Sequence, residues 1–184
     1  MTPNADSERV IRLAYADPPY VGCSSRYDHP ESARWDDPAS HIALMAELDA
    51  TYNGWALSCS SPSLRDLHHA APERARVGSW VKPFAAYKAN VRIAYAWEPV
   101  LFAPGRDRSA DGAPVGRDFL IEPITLQRGL VGVKSERFCR WVLDLLGYVQ
   151  GDELTDLFPG TGIMGRVLAQ GQLALSPVGS SEAP

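Results

Sequence analysis

The chain has 184 residues, 45% of them hydrophobic and 22% charged, which suits one ordinary domain able to bury roughly 70% of its unfolded surface. Fifteen Pro and fifteen Gly are too scattered for a fibrous or disordered protein. Three Cys (Cys23, Cys59, Cys139) without a CxxC pair argue against a disulfide framework or zinc knuckle, and no stretch is long and apolar enough to span a membrane. The net charge of −4 hides an asymmetry: residues 1–37 hold seven acids against four bases, whereas residues 74–108 hold seven bases against two acids.

In chain order, residues 10–16 form an apolar run that stops at Asp17-Pro18-Pro19-Tyr20. Two consecutive prolines cannot continue a hydrogen-bonded ladder, so the run predicts a buried strand ending at a turn. Residues 21–36 are rich in Gly, Ser, Asp, His and Arg without a period, which predicts a long loop, and long loops are uncommon without a function. Asp37 as N-cap and Pro38 at the first helical position open a helix. Its apolar face takes His41, Leu44, Met45, Leu48 and Tyr52, with His41 a packed core histidine, and it ends near Asn53-Gly54. A short strand at 55–60, a short helix at 63–70, a strand at 76–81 and a strand-like stretch at 91–103 follow.

Residues 104–116 read as a surface loop. The clearest helix covers 135–146, with Phe138, Trp141, Val142 and Leu145 as its apolar stripe and Gly147 as its stop. After Gly151-Asp152, a strand over 153–158 runs into Pro159-Gly160-Thr161-Gly162 and a helix from about 163 to 169. This alternation predicts an α/β sheet with crossovers. One domain over 1–184 is expected, with 1–9 and 176–184 as flexible tails. The N-terminal residues lack the basic start and apolar core of a signal peptide, so the expected setting is the cytoplasm.

Two strand ends break into unusual turns. At Asp156-Leu-Phe-Pro-Gly-Thr-Gly162, glycines after a strand let a cofactor come close to the backbone, with helical N–H groups facing an acidic moiety. At Asp17-Pro18-Pro19-Tyr20, prolines fix a carbonyl outward from the strand end, Asp17 supplies a carboxylate and Tyr20 a flat ring. Those groups suit a planar amine: two acceptors for an exocyclic NH2, and a ring to stack on the base. No spacing of His and Cys fits a closed metal site, so no metal is expected. In the loop after the first turn, Arg26, Tyr27 and Trp35 are candidates for touching substrate.

Together the two turns resemble motifs of the S-adenosylmethionine-dependent amino-methyltransferases that modify adenine N6. Asp17-Pro18-Pro19-Tyr20 resembles their catalytic DPPY motif, and Phe158, Gly160 and Gly162 resemble the FxGxG core of their cofactor loop. Lys134 and Phe138 are similar to the motif that precedes that loop, and Trp97-Glu98 to a further one. The catalytic motif here precedes the cofactor motif, as in circularly permuted members, small enzymes of phages and bacteria. The resemblance spans about residues 10–170.

It implies a Rossmann-like methyltransferase sheet with helices on both faces, truncated and permuted. It implies that Asp17 and the Pro18 carbonyl, set by Pro19, accept the amino protons while Tyr20 stacks on the base. Asp156, Phe158, Pro159, Gly160, Thr161 and Gly162 would wrap S-adenosylmethionine, with Lys134 near its carboxylate. The implied partner is DNA, with single strands or RNA as alternatives, and the basic middle (Lys82, Lys88, Arg92, Arg106, Arg108) would meet phosphates.

The departures from the family are an acidic ribose-binding residue reduced to Glu182 in the tail and the absence of a separate target-recognition domain. They imply an open cofactor pocket, or one completed by a homodimer, and a short target context. Cytosine N4, RNA, a free nucleotide or a protein glutamine amide remain alternative acceptors, and Asp at position 17 favours a nucleobase amine over an amide. A non-catalytic nucleic-acid-binding subunit remains the alternative to an enzyme, with both motifs intact arguing for the enzyme.

Overall fold

The computed structural model describes residues 9–83, 91–106, 115–124 and 133–170. Lys88, Arg108, Glu182 and both expected tails except Arg9 lie outside them. Six strands form one sheet: β1 (Arg12–Ala16), β2 (Gly54–Ser58), β3 (Arg76–Val81), β4 (Trp97–Ala103), β5 (Phe119–Ile121) and β6 (Glu153–Asp156), in the spatial order β5-β3-β4-β2-β1-β6. Four helices accompany them: α1 (Pro38–Thr51), α2 (Leu64–Ala70), α3 (Glu136–Leu146) and α4 (Ile163–Ala169).

β1 sits between β2 and β6 and runs parallel to both. β2 is buried along its whole length and β1 from Leu13 onward, as expected of central strands covered on two sides. Leu13, Tyr15, Val100 and Phe102 pack with Phe138, Val142 and Leu146 of α3 and Met164 and Val167 of α4. On the other side Ala14, Trp55, Leu57 and Leu101 meet Leu44, Met45 and Leu48 of α1 and Leu67 of α2. This is the α/β sheet that the alternation predicts, with the helices on both faces that the resemblance implies. It is mixed rather than parallel throughout, because β4 runs antiparallel to both β2 and β3.

Local chemistry fixes the helix ends as expected. The Asp37 carboxylate accepts from Ala39 N at 2.9 Å with Pro38 behind it, and Ser135 Oγ accepts from Phe138 N at 3.0 Å. Gly147 closes α3 in the left-handed region at φ 70°. Within the stretch 91–103 the strand begins only at Trp97, and β5 was not foreseen, since three residues carry too little alternation to be seen.

Gly54 and Gly105 touch backbone to backbone. A Cβ added at Gly54 would lie 2.3 Å from Gly105 N and 2.6 Å from its Cα, and backbone atoms cannot swing aside as a side chain can. Gly54→Ala is therefore expected to cost at least ~2 kcal/mol, read as a lower denaturation midpoint in urea at unchanged slope. A midpoint equal to the parent's would mean that the two segments separate easily.

Candidate active site

The two sequence-marked turns are neighbours in space. β1 and β6 run side by side with Tyr15 opposite Asp156, and Leu157 N donates to Tyr15 O at 2.9 Å, so both chains leave the sheet at the same edge. They open on one cleft of 980 Å³, lined by Asp17 and Pro19 from the first turn and by Asp156, Phe158, Pro159, Gly160 and Thr161 from the second. Gly160 (φ 46°) and Gly162 (φ 70°) hold the second turn in conformations that other residues adopt only under strain. A Cβ at Gly160 would meet only the Phe158 carbonyl at 3.8 Å. The requirement for glycine at 160 thus comes from backbone conformation and not from crowding. Burial pushes the Asp156 carboxyl up, the Phe158 N–H opposes this, and the charge of Asp17 adds to it.

The long loop after the first turn forms another wall. Asp36 clamps it by accepting from Ser24 Oγ at 2.5 Å, Gly22 N at 2.9 Å and Ser24 N at 3.1 Å. The Ser24 hydroxyl and these amides hold the Asp36 carboxyl below its usual range. Trp35, expected as a possible substrate contact, lines the same cleft and is otherwise buried. Its ring stands edge-on to Phe158 at 5.2 Å and to His41 at 5.3 Å, and its carbonyl accepts from His41 Nε2 at 2.9 Å. It braces the glycine turn against α1. Arg26 and Tyr27 are exposed and line the cleft.

Behind Asp17 lies a compact charge cluster. Lys134 Nζ is 3.2 Å from Asp17 Oδ1, 3.2 Å from Glu98 Oε2 and 3.0 Å from the Tyr20 hydroxyl. Lys82 Nζ donates to Glu98 Oε1 at 2.7 Å. The Tyr20 hydroxyl donates to Glu98 Oε2 at 2.9 Å and lies 3.3 Å from Asp17 Oδ1. Two carboxylates and two ammonium groups thus balance, with the Lys134 side chain 6% exposed and that of Asp17 21%. Among the described residues, every contact on the Asp17 carboxylate falls on Oδ1.

Burial pushes the Asp17 carboxyl above its usual value, and Lys134 pulls against it. Burial also works against ionising Glu98, but Lys134 and Lys82 outweigh it and hold that carboxyl at about 2. Lys134 stays charged: burial opposes this, and Asp17 and Glu98 together lift its pKa above the ordinary lysine value. Burial raises the Tyr20 hydroxyl well above its usual value, with Asp17 and Glu98 adding to the effect, so it remains a neutral donor.

The structure places the sequence candidates unevenly. Lys134 lines the cleft, but its ammonium pairs with Asp17 of the first turn. Of the five basic residues expected on phosphates, Lys82 is turned inward to Glu98 with a side chain 10% exposed. The Arg106 side chain, expected on phosphates, is buried instead. Its guanidinium grips Asp152 at 2.9 Å through Nη2 and a second contact through Nη1, with the side chain 6% exposed, so it ties the segment after β4 to the turn before β6. Arg92 is exposed, and Lys88 and Arg108 lie outside the described residues. Glu98 was seen only as part of a Trp-Glu motif. A glutamate opening a strand otherwise buried is the signal that could have marked it.

No protein-family model matches the chain, and no curated protein matches it. Among solved structures the chain resembles a crystal structure of an M1.HpyAVI–SAM complex, with a TM-score of 0.55 and 16% identity over 90% of this chain and 80% of that one. It also resembles a crystal structure of M1.HpyAVI, with a TM-score of 0.53 and 15% identity over 90% and 79%. At this identity the likeness concerns the fold: a six-stranded mixed α/β sheet with helices on both faces.

Proposed function

We propose that the protein transfers a methyl group from S-adenosylmethionine to the exocyclic N6 amine of adenine in DNA. The observation that carries this reading is the meeting of Asp17 and Pro19 of the first turn with residues 156–161 of the second in one cleft. Its 980 Å³ fits the size range of small-molecule sites. The similar M1.HpyAVI crystal structure is a complex with SAM, which supports the same ligand here.

The residues present suit such a ligand. Gly160 and Gly162 keep the turn free of side chains where the ligand's methionine part would lie, and Phe158 backs it with Trp35 behind. Bound there, S-adenosylmethionine supplies an electrophilic methyl group on a sulfonium. The chain's own part is orientation. Asp17 Oδ2 and the Pro18 carbonyl accept the two amino protons and turn the nitrogen lone pair toward the methyl group. The Asp17 carboxylate also stabilises the positive charge that develops on that nitrogen. Tyr20, its hydroxyl held by Glu98, offers its ring to the base. The nitrogen–carbon bond forms as the carbon–sulfur bond breaks, and the surplus amino proton passes to solvent afterwards.

Calorimetric titration and nucleoside mass spectrometry test the two halves. The parent is expected to bind S-adenosylmethionine, and Gly160→Val to bind it at least ~10-fold more weakly, because valine is strained at φ 46°. Unchanged affinity would remove the turn from the cofactor site. DNA from an expressing strain is expected to contain N6-methyladenine. N4-methylcytosine instead would overturn the choice of base.

A further inference from the structure

Of the eight large hydrophobic side chains exposed among the described residues, six fall between residues 93 and 121: Ile93, Tyr95, Trp97, Val115, Phe119 and Ile121. Sheet register shows that three of these share one face. Trp97 of β4 stands opposite Val81 of β3, and Val81 stands beside Ile121 of β5. One step along, Pro99, Ser79 and Phe119 repeat the row. The opposite face of the same strands carries Trp80 and Leu120, which pack against α3. On the Trp97 side α1 and α2 cover the sheet farther along, at Leu101 and Val77. Trp97, Phe119 and Ile121 remain 37%, 40% and 51% exposed.

We propose that this face binds an unpaired stretch of DNA next to the target base, its bases stacking on Trp97 and Phe119. The inference rests on the nucleic-acid reading of the cleft and adds the form of the substrate. The chemistry fits a single strand in two ways. Aromatic rings accept any base on their faces, whereas the paired bases of a duplex stack on each other. Cations accompany the rings: the Arg117 guanidinium lies 5.6 Å from the Phe119 ring centroid, and Arg92 is exposed five residues before Trp97. A purely apolar partner surface would gain nothing from these charges, while a phosphate chain would.

The face lies across the sheet from the active-site cluster. Trp97 precedes Glu98, whose side chain leaves β4 on the opposite face, beside Trp80, and holds the Tyr20 hydroxyl at 2.9 Å. β4 is two strands from β1 in the sheet, roughly 10 Å between strand axes, so a single strand rounding the edge at Trp97 would connect the two. A base presented on an already unpaired strand needs no extrusion, which in a duplex costs a few kcal/mol.

The test uses fluorescence anisotropy of a labelled single-stranded oligonucleotide of about twelve mixed-sequence nucleotides, a length within the range of known single-strand sites. Trp97 is the one exposed tryptophan, the other four being buried, so intrinsic fluorescence reports the face directly and is expected to be quenched by the oligonucleotide. Trp97→Ala and Phe119→Ala are each expected to weaken single-strand binding roughly 5- to 100-fold, and Trp97→Phe much less. Circular dichroism and melting curves confirm that each variant is folded, and Phe119→Ala gives an independent answer if Trp97→Ala is not. Aromatic-dependent binding without any methylated nucleoside would sink the function and leave this face standing. Unchanged affinity in folded Trp97→Ala and Phe119→Ala would overturn the face while leaving the function intact. So would a parent dimer that Trp97→Ala turns into a monomer with DNA binding unaltered, since a second copy would then occupy the surface.

Discussion

Asp17→Ala is expected to abolish methyl transfer while S-adenosylmethionine still binds. The carboxylate follows the end of β1, one strand spacing from β6 and its glycine turn, and lines the cleft beside Pro19. Losing a single preorganised group that stabilises developing charge costs on the order of 10²- to 10³-fold in kcat. Here the same group also orients the amine, so the loss should reach the upper end of that range or exceed it. The substitution leaves Lys134 paired with Glu98, so the protein is expected to stay folded, and Asp17→Asn controls for the lost charge alone by keeping the shape. Single-turnover rates alongside calorimetric titration separate the two effects. Full turnover by folded Asp17→Ala would end the mechanism. A cofactor affinity that collapsed with the rate would instead place the carboxylate in the cofactor's own site.

Much of this arrangement could be read from the sequence because it is encoded locally. Two prolines after an apolar run end a strand wherever they occur, Asp37-Pro38 caps a helix from its own chemistry, and Gly147 stops one. The 3.6-residue stripe of α3 put Phe138, Trp141 and Val142 in the core, where they lie. Each of the two turns was legible as a strand end from its own residues, and the parallel pairing of β1 with β6 brings them together.

What the sequence hid depends on partners distant in the chain. Arg106 and Asp152 are 46 residues apart, and nothing local distinguishes an arginine that will bind phosphate from one that will be buried in an ion pair. Lys82 looked like surface charge beside Pro83, yet the antiparallel register of β3 with β4 delivers it to Glu98. The hub role of Glu98 follows from four side chains drawn from four separate segments. Periodicity cannot report such a meeting. β5 escaped notice for another reason, since a three-residue strand is shorter than the pattern used to detect one.

The neutrality of that cluster leads to the second large expected effect. Lys134 is the only cation in contact with Asp17 among the described residues, whereas Glu98 also has Lys82 at 2.7 Å. Lys134→Met would therefore strand Asp17 first, and breaking one side of a buried ion pair typically costs about 3–5 kcal/mol. The cost should depend on pH with a definite sign. Burial already lifts the Asp17 carboxyl above its usual value, with Lys134 as the main force holding it down. Without the ammonium it rises further. A folded-state pKa above the unfolded one means that the folded protein binds the extra proton, so the deficit is fully present above the folded pKa and shrinks as the pH falls through it. Glu98, held at about 2, behaves in the opposite sense in the parent: its contribution is present above the ordinary glutamate pKa of 4.5 and is lost on acidification toward 2. Melting temperatures of parent and Lys134→Met at pH 8 and pH 5 should thus differ more at pH 8. The acid limb of the kcat profile should move to higher pH in the variant, because the ionised form of Asp17 is the one that accepts the amine. A stability gap that widened on acidification, or an acid limb that stayed where the parent has it, would show that the Lys134 ammonium does not govern the charge of Asp17.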